Sequence, residues 1–438
     1  MSRKIYEDNL GYSILRPIVD WNIKHSYRKV EVCGKENIPT DGAVILAPNH
    51  CNTLMDALVI LRAFKDQTVF GARADMFKNP FIAKIMFFLR ILPMVRQRDG
   101  LRNVLKNLET QDTILETLEN RVRFCIYPEG RHRPAHSLQV LGKGVFRAAL
   151  AANSKFGDKM PVYIVPAGIE YGDYFRYRST SLVTFGEPIN VTEFVKGLDV
   201  ENEVQMIEPL RKELTVRMSG LISYVKDDDK LYDKWALVKM LAASRGIRPG
   251  NFGQSLRSGM LADRAIIAEV EKACEERPEE MERLLEDVRK FEKKRREKKI
   301  SIYSFGKKKK GQLVLKGLAA LLGLPYWIFS TVVSSPMWLT YMLLKSRTRD
   351  RAFHNTVGFG IKLALGTILF IIYTALAFCM LEWPYALALV LMAIPSYSFF
   401  FDYCEGMRRF ISDIRLSGKK KLRKAFKELT GKFDAFNI

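Results

Sequence analysis

Ala43-Val44-Ile45-Leu46-Ala47-Pro48-Asn49-His50-Cys51-Asn52-Thr53-Leu54-Met55-Asp56 joins a short apolar run to a polar turn and then to the start of a helix-compatible segment. The run has the length and content of a buried strand, and Pro48-Asn49 punctuates its end. Working outward, further apolar runs lie at Thr68 to Gly71, Arg123 to Tyr127, Val162 to Val165 and Ser181 to Phe185, and they alternate with helix-like segments. The alternation predicts an α/β fold, a sheet flanked by helices, over residues 29–200.

His50 falls where the strand gives way to a loop, the place where α/β proteins expose chemical groups. His50 and Asp56 are six residues apart, which on a continuous helix would separate them by about 120°. They pair only if His50 lies in the loop and Asp56 early in the following helix. A carboxylate that fixes one imidazole tautomer makes the ring a usable general base for a hydroxyl. The bland alternative is a surface histidine near an acidic helix start. Cys51 is a competing nucleophile, but it adjoins His50, and neighbouring side chains point apart; direct transfer without a covalent enzyme intermediate is the expectation.

The company of this motif favours chemistry. Ile91-Leu92-Pro93-Met94-Val95-Arg96-Gln97-Arg98 ends an apolar run in arginines, whose planar forks suit phosphate oxygens. Phe124-Cys125-Ile126-Tyr127-Pro128-Glu129-Gly130-Arg131-His132-Arg133 follows a strand with an acid, a glycine and two more arginines. Ile164-Val165-Pro166-Ala167-Gly168 leads into Phe175-Arg176-Tyr177-Arg178 and Phe185-Gly186-Glu187-Pro188-Ile189.

In this order, over roughly residues 30–195, these segments resemble the four sequence blocks of the glycerophospholipid acyltransferase superfamily. They are most like the fungal-type glycerol-3-phosphate and dihydroxyacetone-phosphate acyltransferases, whose first block also has five residues between His and Asp. Ser137 to Val145 and Phe175 to Ser179 look like that branch as well. The resemblance implies His50 as general base and Asp56 as its orienting partner. It places Arg96, Arg98, Glu129, Gly130, Arg131 and Arg133 at the phosphate-bearing substrate. Arg131-His132-Arg133 departs from the superfamily's usual Thr-Arg-Ser, which leaves open which arginine takes the phosphate. Pro166 matches the fourth block, near the acyl group, or is a strand-ending proline; Glu129 serves the substrate or braces a turn. The implied reaction is transfer of a fatty acyl group from acyl-CoA or acyl carrier protein to glycerol 3-phosphate. Lysophosphatidate (1-acylglycerol 3-phosphate) is the alternative acceptor, and a non-catalytic lipid-binding adaptor is the rival from another class. No cofactor beyond the acyl donor is implied, and no His/Cys/Asp/Glu cluster has metal-ligand spacing.

Downstream the chain changes character. Three uncharged stretches, 317–344, 363–381 and 385–401, are set among basic blocks. The second and third, with Glu382-Trp383-Pro384 between them, predict a transmembrane hairpin. The first contains Pro325 and Ser334-Ser335-Pro336 and has basic residues at both ends; it predicts a helix-break-helix that dips in and returns, or a kinked span. Residues 201–306 are expected to be a helical connector within a membrane-anchored chain whose membrane region spans 307–403.

Of the net charge of +22, the segment 289–310 holds 12 basic and 2 acidic groups, 408–438 holds 10 and 3, and 345–351 holds 4 and 1. The rest is nearly neutral, which argues against a nucleic-acid surface and for membrane lipids as partners. Residues 1–28 predict an amphipathic helical segment. The tail 404–438 predicts a basic amphipathic helix lying on a membrane, with Leu422, Phe426, Leu429, Phe433 and Phe436 on one side. The first ten residues lack the apolar core of a cleavable signal, so a multi-pass membrane protein with its soluble part in the cytoplasm is expected. The hydrophobic content of 48% excludes whole-chain disorder, and six scattered cysteines exclude a disulfide scaffold.

Overall fold

The computed structural model describes residues 4–94, 104–199, 202–247, 255–306 and 311–436. They form two units. One comprises residues 1–23, 30–174 and 181–222; the other takes 24–29, 175–180 and 223–438.

In chain order the first unit's elements are α1 (Leu10–Ser26, ending in the second unit), β1 (Lys29–Cys33), β2 (Ala43–Pro48), α2 (Thr53–Ala63), β3 (Thr68–Arg73), α3 (Pro80–Phe88), β4 (Ile91–Met94) and α4 (Val104–Glu119). These are followed by β5 (Arg123–Cys125), α5 (Gly144–Phe156), β6 (Val162–Tyr171), β7 (Thr180–Phe185), β8 (Ile189–Asn190), α6 (Val191–Lys196) and α7 (Glu203–Ser219). The eight strands form one sheet in the order β1-β7-β6-β2-β5-β3-β4, with β8 also on β6. β2 is central, parallel to β5 and β6, and all six of its residues are buried. Strands covered on both faces read as unbroken apolar runs, which is why 43–47 was legible.

Pro166 lies in the middle of β6, not at its end. β8 pairs with Tyr163 and Ile164 and β7 with Ala167 to Tyr171, so Pro166 falls between the two antiparallel partners, where a missing N–H is tolerated. α7 belongs to this unit, beyond the boundary drawn at 200: Leu210, Leu214 and Met218 are buried, and α7 packs on α5 and β6. The turn after it comes so close to β6 that a Cβ on Gly168 would meet the Leu221 carbonyl at 2.4 Å.

The second unit contains α8 (Leu231–Ser244), α9 (Leu256–Glu276), α10 (Pro278–Glu297), α11 (Gln312–Val333), α12 (Ser335–Arg347), α13 (Phe353–Met380), α14 (Trp383–Ser417) and α15 (Lys420–Asp434). α11, α13 and α14 are long and apolar enough to cross a membrane. The apolar stretch 385–401 and the charged residues after it form one continuous 35-residue helix, α14.

α15 corrects an expectation. Its apolar side does not face outward to lipid; Leu422, Phe426, Leu429 and Phe433 are buried, and α15 packs on α8 and α10. Phe426 stacks on Phe305 at 4.8 Å and leans on Phe291 at 6.1 Å. The stripe has the same period whether it meets lipid or helices, and here Phe291 on α10 and Phe305 beyond it supply the apolar surface.

Candidate active site

Asp56 organises the loop that precedes it. Its Oδ2 accepts the backbone N–H of Cys51 at 2.8 Å and of Asn52 at 2.7 Å, and lies 2.7 Å from His50 Nδ1. Its Oδ1 accepts the Tyr171 hydroxyl at 2.8 Å. The carboxylate therefore reaches back from the first turns of α2 to cap the N–H groups ahead of the helix, where the macrodipole favours negative charge. This places His50 in the loop and Asp56 in the helix, as their spacing demanded. Thr53, at the join, has φ 46°, a left-handed conformation that a β-branched residue adopts under strain.

With Oδ2 already accepting two amides, Nδ1 of His50 is the donor, and the lone pair lies on Nε2. The ring stacks on Tyr127 at 4.4 Å and meets His132 edge-on at 5.7 Å. Its backbone is fixed on both sides: the N–H donates to Glu129 Oε1 at 2.8 Å, and the carbonyl accepts the Arg133 N–H at 2.9 Å. Asn49 clamps the loop's start to β6 by giving to the Ile169 carbonyl at 3.1 Å and accepting the Ile169 N–H at 2.6 Å.

Glu129 is mostly buried, and both its oxygens are engaged. Oε1 takes the His50 amide; Oε2 takes the Gln139 backbone N–H and the Gln139 side chain, each at 3.0 Å. Burial raises its pKa above the ordinary glutamate value, against the pull of these donors. Glu129 is thus placed as a brace between the 127–133 turn and the 137–142 loop. Gly130 has φ 68°, and its N–H donates to the Tyr127 carbonyl at 3.1 Å, a tight left-handed turn that suits glycine. Arg131 has an exposed side chain, whereas Arg133 turns a guanidinium toward the Leu138 carbonyl at 3.5 Å. Arg96 and Arg98 lie outside the described residues.

Cys51 is buried, and its thiol points to Asp56 Oδ1 at 3.7 Å and the Ile169 carbonyl at 3.8 Å. Burial first, and the Asp56 and Glu129 charges next, push its pKa well up, which disfavours the nucleophilic thiolate.

Sequence reasoning missed Tyr171 and the bracing role of Gln139. Gln139 sat inside a stretch already singled out; Tyr171 required the register between β2 and β6. Conversely, Phe175 to Ser179, which looked like part of the acyltransferase pattern, does not join this loop cluster. In the second unit Tyr177 is buried with Tyr341, Ile361 and Tyr397, Arg176 pairs with Glu405 at 3.0 Å, and Arg178 pairs with Asp402.

Residues 29–170 match the family model described as Acyltransferase. The chain is 27% identical over 125 residues to "Glycerol-3-phosphate O-acyltransferase 2" of Saccharomyces cerevisiae, covering 28% of this chain and 17% of that protein. It is 23% identical over 141 residues to "1-acyl-sn-glycerol-3-phosphate acyltransferase" of Borreliella burgdorferi, covering 32% and 54%. In both cases the match spans less than two thirds of the relative's own length. The crystal structure of PlsC, the 1-acyl-sn-glycerophosphate (LPA) acyltransferase of Thermotoga maritima, gives a TM-score of 0.34 at 23% identity, covering 48% of this chain and 78% of that one.

Proposed function

We propose that this chain, whose residues 29–170 form an acyltransferase domain of the glycerophospholipid acyltransferase superfamily, is a membrane-bound O-acyltransferase that esterifies a hydroxyl of glycerol 3-phosphate. The observation that carries the reading is the His50–Asp56 pair at 2.7 Å, with Asp56 held by two backbone amides and Tyr171.

In the proposed step the acceptor hydroxyl gives its proton to His50 Nε2 as its oxygen attacks the thioester carbonyl. The C–O bond forms and the tetrahedral intermediate collapses with loss of the C–S bond. The imidazolium returns the proton to the departing thiolate, a good leaving group that needs little help. Asp56 keeps Nδ1 protonated and supports the positive charge that His50 carries between these events. The donor is acyl-CoA or acyl carrier protein, used as a co-substrate without a further cofactor. Arg131, Arg96 and Arg98 are the cations proposed for the acceptor's phosphate. Glu129 and Gly130 shape the loop beneath it, and Pro166 and Arg133 act through packing rather than contact. The basic blocks favour a catalytic domain on the cytoplasmic side.

The second reading, acylation of 1-acylglycerol 3-phosphate, is favoured by the name of the Borreliella relative. The test is an assay of purified full chain in detergent, with acyl-CoA and acyl carrier donors against glycerol 3-phosphate, dihydroxyacetone phosphate and 1-acylglycerol 3-phosphate. Transfer to glycerol 3-phosphate that His50→Ala lowers by about 10²–10⁴-fold is expected. Transfer to the lysolipid alone would replace the acceptor, turnover within tenfold of wild type for His50→Ala would overturn the mechanism, and no transfer to any of the three acceptors would favour the adaptor.

A further inference from the structure

The break between α11 and α12 carries information about the membrane. A helix that stops leaves its last carbonyls without N–H partners. Here four consecutive carbonyls are each met by a side chain, those of Ser330 and Val332 in addition to the Ser334 N–H and those of Thr331 and Val333 by the side chain of a residue further along the chain. Ser330 O accepts the Ser334 hydroxyl at 2.5 Å, Thr331 O the Trp338 indole at 2.9 Å, Val332 O the Ser335 hydroxyl at 2.7 Å, and Val333 O the Tyr373 hydroxyl at 3.1 Å. Water would satisfy such groups without help; interrupted backbone within hydrocarbon has to find its partners in the protein.

The packing partners set the depth. Lys316 pairs with Asp413 at 2.6 Å and Tyr326 donates to the Met392 carbonyl at 2.7 Å, so α11 runs antiparallel to α14. Met337 lies against Gly366 and Tyr341 shares a core with Ile361, so α12 runs back antiparallel to α13. Gln312 and Arg347 therefore both point away from the tip of the α13–α14 hairpin at Leu381-Glu382. Tyr373, at the break, precedes Glu382 by nine residues, about 14 Å of helix and so about half of a 30 Å hydrocarbon core. By length alone α11, with 22 residues, reaches across a bilayer; its partners stop it halfway, and position decides over length.

We propose that α11 and α12 form a re-entrant hairpin that enters and leaves on one side, while α13 and α14 cross. Its partner is the acyl chains of a single leaflet, met by the exposed Leu321, Leu322, Ile328 and Val332 of α11 and Leu339 and Met342 of α12. The basic stretches 289–310, 345–351 and 408–438 then share one side, the arrangement that the positive-inside bias selects.

The test uses the full chain in sealed membrane vesicles of one orientation, with the exposed or half-buried Cys33, Cys274, Cys379 and Cys404 changed to serine and the buried Cys51 and Cys125 kept as the unlabelled background. Single cysteines are introduced as Gln312→Cys, Val332→Cys, Ser346→Cys, Trp383→Cys and Lys424→Cys, all at exposed or half-buried positions that remove no core contact. An impermeant maleimide is applied from each side and scored against permeabilised vesicles. Gln312→Cys and Ser346→Cys are expected to label from the Lys424→Cys side and Trp383→Cys from the other. Val332→Cys is expected to be protected from both sides, and a bimane attached there to be quenched by lipids with a nitroxide deep in the chain. Ser346→Cys labelling with Trp383→Cys would mean a single crossing, and Val332→Cys labelling from the Trp383→Cys side would mean two; either overturns the proposal. No step requires acyl transfer, so the outcome is independent of the enzymatic reading.

Discussion

Asp56 in the first unit and Asp402 with Glu405 in the second are carboxylates treated in opposite ways, Asp402 being half-buried and the other two buried. Asp56 is fully buried and meets neutral donors: two backbone amides, a phenol and an imidazole. Asp402 is held by Arg28 and Arg178, and Glu405 by Arg176, Arg408 and Arg409. Guanidinium partners cancel a carboxylate's charge and fix it as a structural joint. Neutral donors hold a carboxylate in place and leave its charge available to a proton arriving on the neighbouring ring. The partners of a buried acid thus separate the acid kept for chemistry from those kept for assembly.

The sharpest way to break this contrast is Asp56→Asn. An amide keeps the shape, cannot accept from all the same donors, and does not support an imidazolium; turnover should fall by about 10³-fold, measured per folded molecule, with membrane recovery unchanged. Asp402→Asn should do the reverse. It leaves Arg28 and Arg178 facing a neutral group, a loss of about 1–3 kcal/mol of stability, read as lower thermal stability in detergent, while turnover per folded molecule stays within about threefold. A turnover loss for Asp402→Asn as large as that for Asp56→Asn would erase the distinction.

A smaller effect sharpens it. Tyr171→Phe removes one of the donors that fix the Asp56 carboxylate and so loosens the group that orients the imidazole. Turnover per folded molecule should fall by about 3–10-fold, through kcat with KM for the acceptor unchanged. A loss of thermal stability with turnover per folded molecule unchanged would indicate a structural role only. Smallest of all, Cys51→Ala should leave turnover within about threefold, because the 2.8 Å bond from the backbone N–H of residue 51 to Asp56 is kept and only the longer thiol contacts are lost; burst kinetics or an acyl adduct on Cys51 would contradict this.

The sheet was legible because β2, β3, β6 and β7 are apolar runs that need no distant context. The pair His50 and Asp56 was legible for a related reason: a loop followed by a helix start is a local arrangement. Tyr171 was not, since its value depends on the β2–β6 register, a contact across more than a hundred residues. The partners of Arg176, Tyr177 and Arg178 were not legible either, because arginines beside an aromatic suit a phosphate as well as they suit carboxylates on a helix. Only tertiary packing distinguishes the two. The stripe on α15 failed similarly: periodicity tells which side is apolar and nothing about what covers it.

The second unit draws residues 24–29 and 175–180 from the half of the chain that otherwise builds the first. No single cut or recombination point therefore yields two complete modules. A fragment ending near residue 200 would present Tyr177 and its neighbouring arginines without their aromatic and carboxylate partners, and a fragment starting there would lack the peg its helices close around. The region matched by the family model, which ends at residue 170, stops just short of that peg.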